Sequence, residues 1–170
     1  WRAIEANSAI PCCDCEMLQT CEKNHCWNTL MPDIARTASQ MISGMTPVLQ
    51  PGIFVFITTT DRDLVAELFS EAISIFREDE GVSMLIPIEL AKESRLNVDQ
   101  PMRCITLNVY SSLEGVGLTA AVSSALGDNG IPCNMVAAFH HDHVFLPSGL
   151  CDRAMEVLTA LQHEAAKQGG

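Results

Sequence analysis

Apolar residues are placed irregularly up to about residue 40 and fall into order from Pro51 onward. The run GIFVFITT (52–59) is apolar on both faces and rich in β-branched and aromatic residues, the pattern of a buried strand. LVAELF (64–69) spaces Leu64, Val65, Leu68 and Phe69 along one face of a helix. AISIF (72–76) and VSMLIPIE (82–89) read as two strands joined by the charged turn REDEG, where Gly81 allows a positive φ. Pro87 has no N–H to give to a ladder and so points to an edge position for the second strand. A short helix at ELAKES follows. Upstream, Gly44, Pro47, Pro51 and Gly52 read as turn punctuation.

The last third alternates more cleanly. RCITLNVY puts Ile105, Leu107 and Val109 on one face and Thr106, Asn108 and Tyr110 on the other, as in a sheet covered by helices on one side. Leu118, Ala121, Val122, Ala125 and Leu126 then form an unbroken helical stripe, which GDNG ends with glycines suited to a left-handed cap. IPCNMVAAF and HVFLP read as strands around an HHD turn. A last helix carries Leu150, Ala154, Val157, Leu158 and Leu161 on one face, with Ser148 as its N-cap.

The order strand, helix, strand, strand, helix is most of a ferredoxin-like βαββαβ unit, so the expected class is α+β with antiparallel sheets under helices on one face. Its final strand is absent from the C-terminal end, and GIFVFITT or the 72–89 hairpin is expected to supply that pairing from the N-terminal half. Three stretches are expected: a Cys-rich extension (1–40), an N-terminal half (41–100) and a C-terminal domain (101–166). No internal repeat is obvious in the residues themselves.

Composition narrows the function classes. Apolar residues make up 48% and charged residues 18%, an ordinary globular balance. The net charge of −11 comes with no cluster of Lys and Arg, which argues against a nucleic-acid partner. No apolar run approaches the roughly 20 residues of a membrane helix. No secretory signal is expected at the start, and Trp1 marks a fragment or a processed chain. A cytoplasmic location is the plain expectation, with Cys104, Cys133 and Cys151 as small core residues in a reducing compartment.

Gly115-Val116-Gly117-Leu118-Thr119-Ala120 matches the dinucleotide pattern G-x-G-x-x-G/A, whose chemistry needs a helix N-terminus directly after a strand. Four features disagree. Residues 111–114 (SSLE) add slack before the first glycine, and the next strand ends in Ala137-Ala138-Phe139 rather than an acid for the ribose. Only about 40 residues follow Gly130, and the first strand is amphipathic where a doubly wound sheet buries both faces. No nucleotide cofactor is therefore expected. What remains is a loop of small residues whose free N–H groups suit a carboxylate, with the hydroxyls of Ser111 and Ser112 alongside, or else a plain turn with an N-cap.

ITLNVYSSLEGVGLTAAVSSALGDNGIPCNMVAAFHHDHVFLP, with MTPVLQPGIFVFIT and FREDEG upstream, resembles the ACT domain. More narrowly it is similar to a little-characterised family of small ACT-domain proteins, over residues of about 45–162. The resemblance implies a ferredoxin-like fold and a regulatory domain that binds an amino acid, or a similar small carboxylate, at a domain or subunit interface of a homo-oligomer. Carried over by position, it implies contacts from Ser111, Ser112, Glu114, Gly115, Val116, Gly117, Leu118 and Thr119, and from Asn134 on the strand after the helix. SSLEGVG stands where an Asp and a Pro-Gly turn are frequent in such domains.

Other clusters keep alternatives open. Cys12, Cys15, Cys21 and Cys26, with His25, offer ligands for a tetrahedral zinc, although the second spacing is wide. His141 and His143 would share one strand face, a spacing compatible with a metal, or would lie in a solvated turn. FREDEG is a solvated hairpin tip or a receiver for a ligand's amino group. Cys133, His140, Asp142 and His143 lie close in sequence without an oxyanion signature, so catalysis is not expected. A protein-interaction module working through a sheet edge is the remaining class.

Overall fold

The structure, a computed structural model, describes residues 34–168. Cys12, Cys15, Cys21, His25 and Cys26 lie outside the described residues, and so does the zinc reading built on them. In chain order the elements are α1 (Ala38–Gly44), β1 (Thr46–Leu49), β2 (Phe54–Thr59), α2 (Arg62–Leu68), β3 (Ser74–Glu78), β4 (Gly81–Pro87), α3 (Ile88–Glu93) and β5 (Met102–Asn108). They continue with α4 (Leu118–Asp128), β6 (Asn134–Ala137), β7 (Asp142–Pro147), a 3-10 turn at Ser148–Leu150 and α5 (Cys151–Gln168). The fold is the expected ferredoxin-like α+β arrangement.

All strand pairs are antiparallel, in the order β3-β4-β2-β5-β7-β6, and β1 also lies beside β5. Strand alternation sorts the side chains. Ile105, Leu107, Val144 and Leu146 face α1, α4 and α5, while Val55, Ile57, Met84 and Ile86 face α2 and α3. On the opposite face the sheet curls, and Phe54, Leu85, Cys104 and Phe145 form a third cluster. Phe145 stands edge-on to Phe54 and Phe56, with ring centroids 5.9 Å and 6.1 Å apart.

The chain order β-α-β-β-α occurs twice, and the two copies align through Pro87 and Pro147. Each proline ends the third strand of its copy and leads into a helical turn, where its missing N–H costs no ladder bond. From these anchors Ile57↔Met84 corresponds to Ile105↔Val144, and Thr59↔Val82 to Leu107↔Asp142. The copies meet at corresponding positions, because the β2–β5 pairing is the single register Phe54↔Met102. A local two-fold axis between the halves follows from that pairing.

Four sequence-based expectations need correction. The strand that completes the C-terminal half is β1, paired Thr46↔Asn108 through Leu49↔Ile105, and not GIFVFITT or the 72–89 hairpin. TPVL has four residues and holds a proline, so its local pattern matches turn punctuation rather than a strand. Pro87 does not mark an edge: β4 lies between β3 and β2, with the proline as its last residue. Ser148 makes no side-chain cap, because the 3-10 turn starts there and α5 follows directly. Phe56 is exposed, so β2 is not buried on both faces.

Phe145 is fully buried at the centre of the curl. Phe145→Ala should lower stability by about 3–5 kcal/mol, whereas Phe76→Ser on exposed β3 should stay within about 0.5 kcal/mol. Urea midpoints at unchanged m-value would show both effects.

Candidate functional site

The loop from β5 to α4 is held before α4 begins. Ala35 N–H donates to Tyr110 O at 2.9 Å, and Ser112 N–H donates to Ala35 O at 3.1 Å. A tight turn follows, with Gly115 N–H on Ser112 O (2.8 Å) and Glu114 N–H on Ser112 Oγ (3.2 Å). Immediately after Ala35, α1 starts on a capping box: Gln40 N–H donates to Thr37 Oγ1 (3.2 Å), and Thr37 N–H donates to Gln40 Oε1 (3.3 Å). Gln162 Nε2 of α5 donates to Ser43 O at 2.7 Å and fixes the other end of α1.

The two glycines of the loop serve this contact. A Cβ on Gly117 would lie 2.7 Å from the Ala38 Cβ, and one on Gly115 would lie 2.8 Å from Met41 Sδ. Gly117 also has a φ of +111°, which favours glycine. As N-cap of α4 it offers no side chain, and the first intrahelical bond is Ala121 N–H to Gly117 O at 2.9 Å. The N–H groups of Leu118, Thr119 and Ala120 therefore find no acceptor among the described residues. In the first copy the equivalent helix start is filled, because Asp61 Oδ1 accepts from Asp63 N–H (2.9 Å) and Leu64 N–H (3.3 Å).

Beside the open helix start lies a cavity of about 80 Å³. Ser111, Ser112, Gly115, Leu118 and Thr119, all among the residues that the ACT resemblance implies, line it. Glu114 and Val116 instead project into solvent, and Gly117 lies against Ala38. Asn134 is exposed at the start of β6 opposite Phe145, and β6 reaches the cavity through Ala137. Four further lining residues lie outside the sequence-based candidates: Met41 of α1, Leu113 of the loop, Ala137 of β6 and Asp142, the first residue of β7. Asp142 shares a face with Val144 and Leu146, so the alternation that marks the core could have placed this carboxylate inside.

Asp142 is 9% exposed, and its carboxylate accepts no hydrogen bond from any described residue. Burial pushes its pKa above the usual carboxylate value, partly offset by His143 and His141. Burial also pulls His143 down, aided by His141 and opposed by Asp142. His143 Nδ1 lies 3.0 Å from Thr106 Oγ1, and His141 Nδ1 donates to Val109 O at 3.2 Å. These histidines are thus engaged separately, and no group of three metal-ligating side chains forms among the described residues. Cys104 is buried, and that burial pushes its thiol up to about 11, far from thiolate reactivity at neutral pH. Arg77, Glu78, Asp79 and Glu80 are exposed at the β3–β4 tip.

A model of the ACT domain matches residues 36–103, and a second ACT-domain model matches residues 100–160. The chain belongs to the ACT-domain family. Among solved structures, this ACT-domain protein is similar to a Vibrio cholerae protein of unknown function described as a possible transport protein. That structure has 31% identity and a TM-score of 0.65, with 73% of this chain and 94% of that chain covered. An Agrobacterium tumefaciens protein shows 21% identity and a TM-score of 0.52, covering 69% and 89% of the two chains. The regulatory subunit of aspartate kinase from Thermus thermophilus shows 9% identity and a TM-score of 0.51, covering 68% and 95%. The last two likenesses concern the fold alone. No match is found among curated proteins. Among the described residues, no helix is long and apolar enough to cross a membrane.

Two outcomes follow for this ACT-domain protein. Gly117→Ala should cost about 1–3 kcal/mol, because the new methyl meets Ala38 at a left-handed φ; a urea midpoint would measure it. Asp142, with a folded pKa above its unfolded value, favours the fold below the unfolded value and loses that contribution as pH rises through the folded one. Asp142→Asn should therefore raise the melting temperature at neutral pH, with the difference closing as pH falls below the usual carboxylate value of about 3.9.

Proposed function

We propose that this protein is a regulatory domain that senses an amino acid where its β5–α4 loop meets a neighbouring domain or subunit of a homo-oligomer. The observation that carries this reading is the uncapped start of α4 beside the 80 Å³ cavity. Membership of the ACT family supports a regulatory, ligand-binding role. The helix start favours a carboxylate, and Ser111 and Ser112 bring hydroxyls to the same cavity. At ~10–15 Å³ for each water-sized occupant, the space suits on the order of five heavy atoms. That is the size of the ammonium, α-carbon and carboxylate common to amino acids. A side chain would then project outward, towards whatever covers the loop. The reading needs no catalytic group, and it places the protein in the cytoplasm, where the free thiols Cys104, Cys133 and Cys151 stay reduced.

A second reading rests on a different observation. Beyond the Phe54↔Met102 pair, residues 55–59 of β2 pair only with β4, and a groove of about 370 Å³ runs beside them to the 96–100 segment. An uncharged, one-sided edge of this kind suits an added strand from a partner, with no small ligand involved.

A thermal-shift screen against the common amino acids separates the two. Under the first reading at least one amino acid raises the melting temperature, by the equivalent of about 2.7 kcal/mol at a hundredfold excess over Kd. Under the second none does, while Phe56→Lys lowers the mass found by light scattering. A screen with no response from any amino acid overturns the sensor reading.

A further inference from the structure

The two copies of the β-α-β-β-α unit are built alike and finished differently, and the differences converge on one cavity. At the helix start, the first copy has Asp61, whose carboxylate bonds the free N–H groups of α2. The second copy has Gly117, which bonds none of those at the start of α4. At the ladder position two residues from the buried Met84 and Val144, the first copy has Val82 and the second has Asp142. The first copy thus carries its negative charge as a built-in cap. The second leaves the cap open and adds a strand carboxylate, Asp142, to the lining of the same cavity.

We infer that Asp142 is the group that recognises the ammonium of the ligand, so the cavity takes a free α-amino acid and rejects the matching carboxylic acid without an amino group. This rests on the sensor reading above and makes it narrower. A carboxylate that is 9% exposed, without a hydrogen-bond partner among the described residues, and lining a cavity beside three open N–H groups is a charge awaiting its counterpart. A carboxylic acid alone would satisfy the helix start but would place two like charges in one small space. An amine alone would leave the N–H groups unmet. A zwitterion satisfies both ends, with its ammonium on Asp142 and its carboxylate towards Leu118, Thr119 and Ala120. Thr119 and the two serines offer hydroxyls between these ends.

The test uses the full chain, the common amino acids and, for each responder, the acid of the same carbon skeleton without its amino group. Calorimetry on the wild type should show binding of the amino acid and at least tenfold weaker binding of the matched acid, a comparison that needs no variant. Asp142→Asn should weaken the amino acid by about 10- to 100-fold, since a charge-assisted contact is lost. The same variant should melt no lower than the wild type without ligand, so lost binding cannot be laid to lost folding. If an amino acid binds the wild type and Asp142→Asn keeps that affinity, or if the matched acid binds as well, the assignment of Asp142 fails while the sensor reading stands. If no amino acid binds the wild type, both fail together.

Discussion

The arrangement of the C-terminal half depends on two α-carbons that carry no side chain. Gly115 and Gly117 leave the clearance, less than one methyl group wide, into which Met41 and Ala38 of α1 fit. That contact lets the residues before α1 strap the β5–α4 loop through Ala35, and it brings β1 into the sheet immediately afterwards. A glycine pair that resembles a phosphate loop is therefore a packing device. Its consequence for function is indirect: with no side chain at the N-cap of α4, the first N–H groups of that helix stay open. The close approach of α1 also confines the neighbouring space to a small cavity rather than a cleft.

The local two-fold gives the protein two frames of the same design under different local chemistry. Both frames bury alternate residues of their central strands under helices and end their third strands with proline. In the first, apolar Val82 and the Asp61 cap leave the loop end locally satisfied. In the second, buried Asp142 works against the fold when ionised, because burial disfavours its charged form. A group that opposes stability where its counterpart is a valine is the kind of local inconsistency that functional sites show. The free edge of β2 comes from the same near-symmetry. β1 completes the second frame beside β5, and no described strand takes the matching place beside Val55–Thr59.

By itself the sequence determined the elements whose apolar spacing is regular. β2, β5, β7, α2, α4 and α5 were legible because alternation or a helical stripe requires a covered face, whatever covers it. The glycine loop and its rejection as a nucleotide site were legible from local spacing, whereas the candidate contacts along 111–119 came from the family resemblance. Other features were decided by tertiary structure. Thr46–Leu49 is a strand because β5 has an open edge there, and α1 is a helix seated on glycines about 75 residues away in sequence. Asn134 falls outside the cavity, and Asp142 lines it, because the register of β6 on β7 pairs Ala137 with Asp142. Register, strand partners and the closing of a cavity depend on which distant residues meet. Local spacing shows that a residue faces inward, and only the assembled sheet shows what it faces.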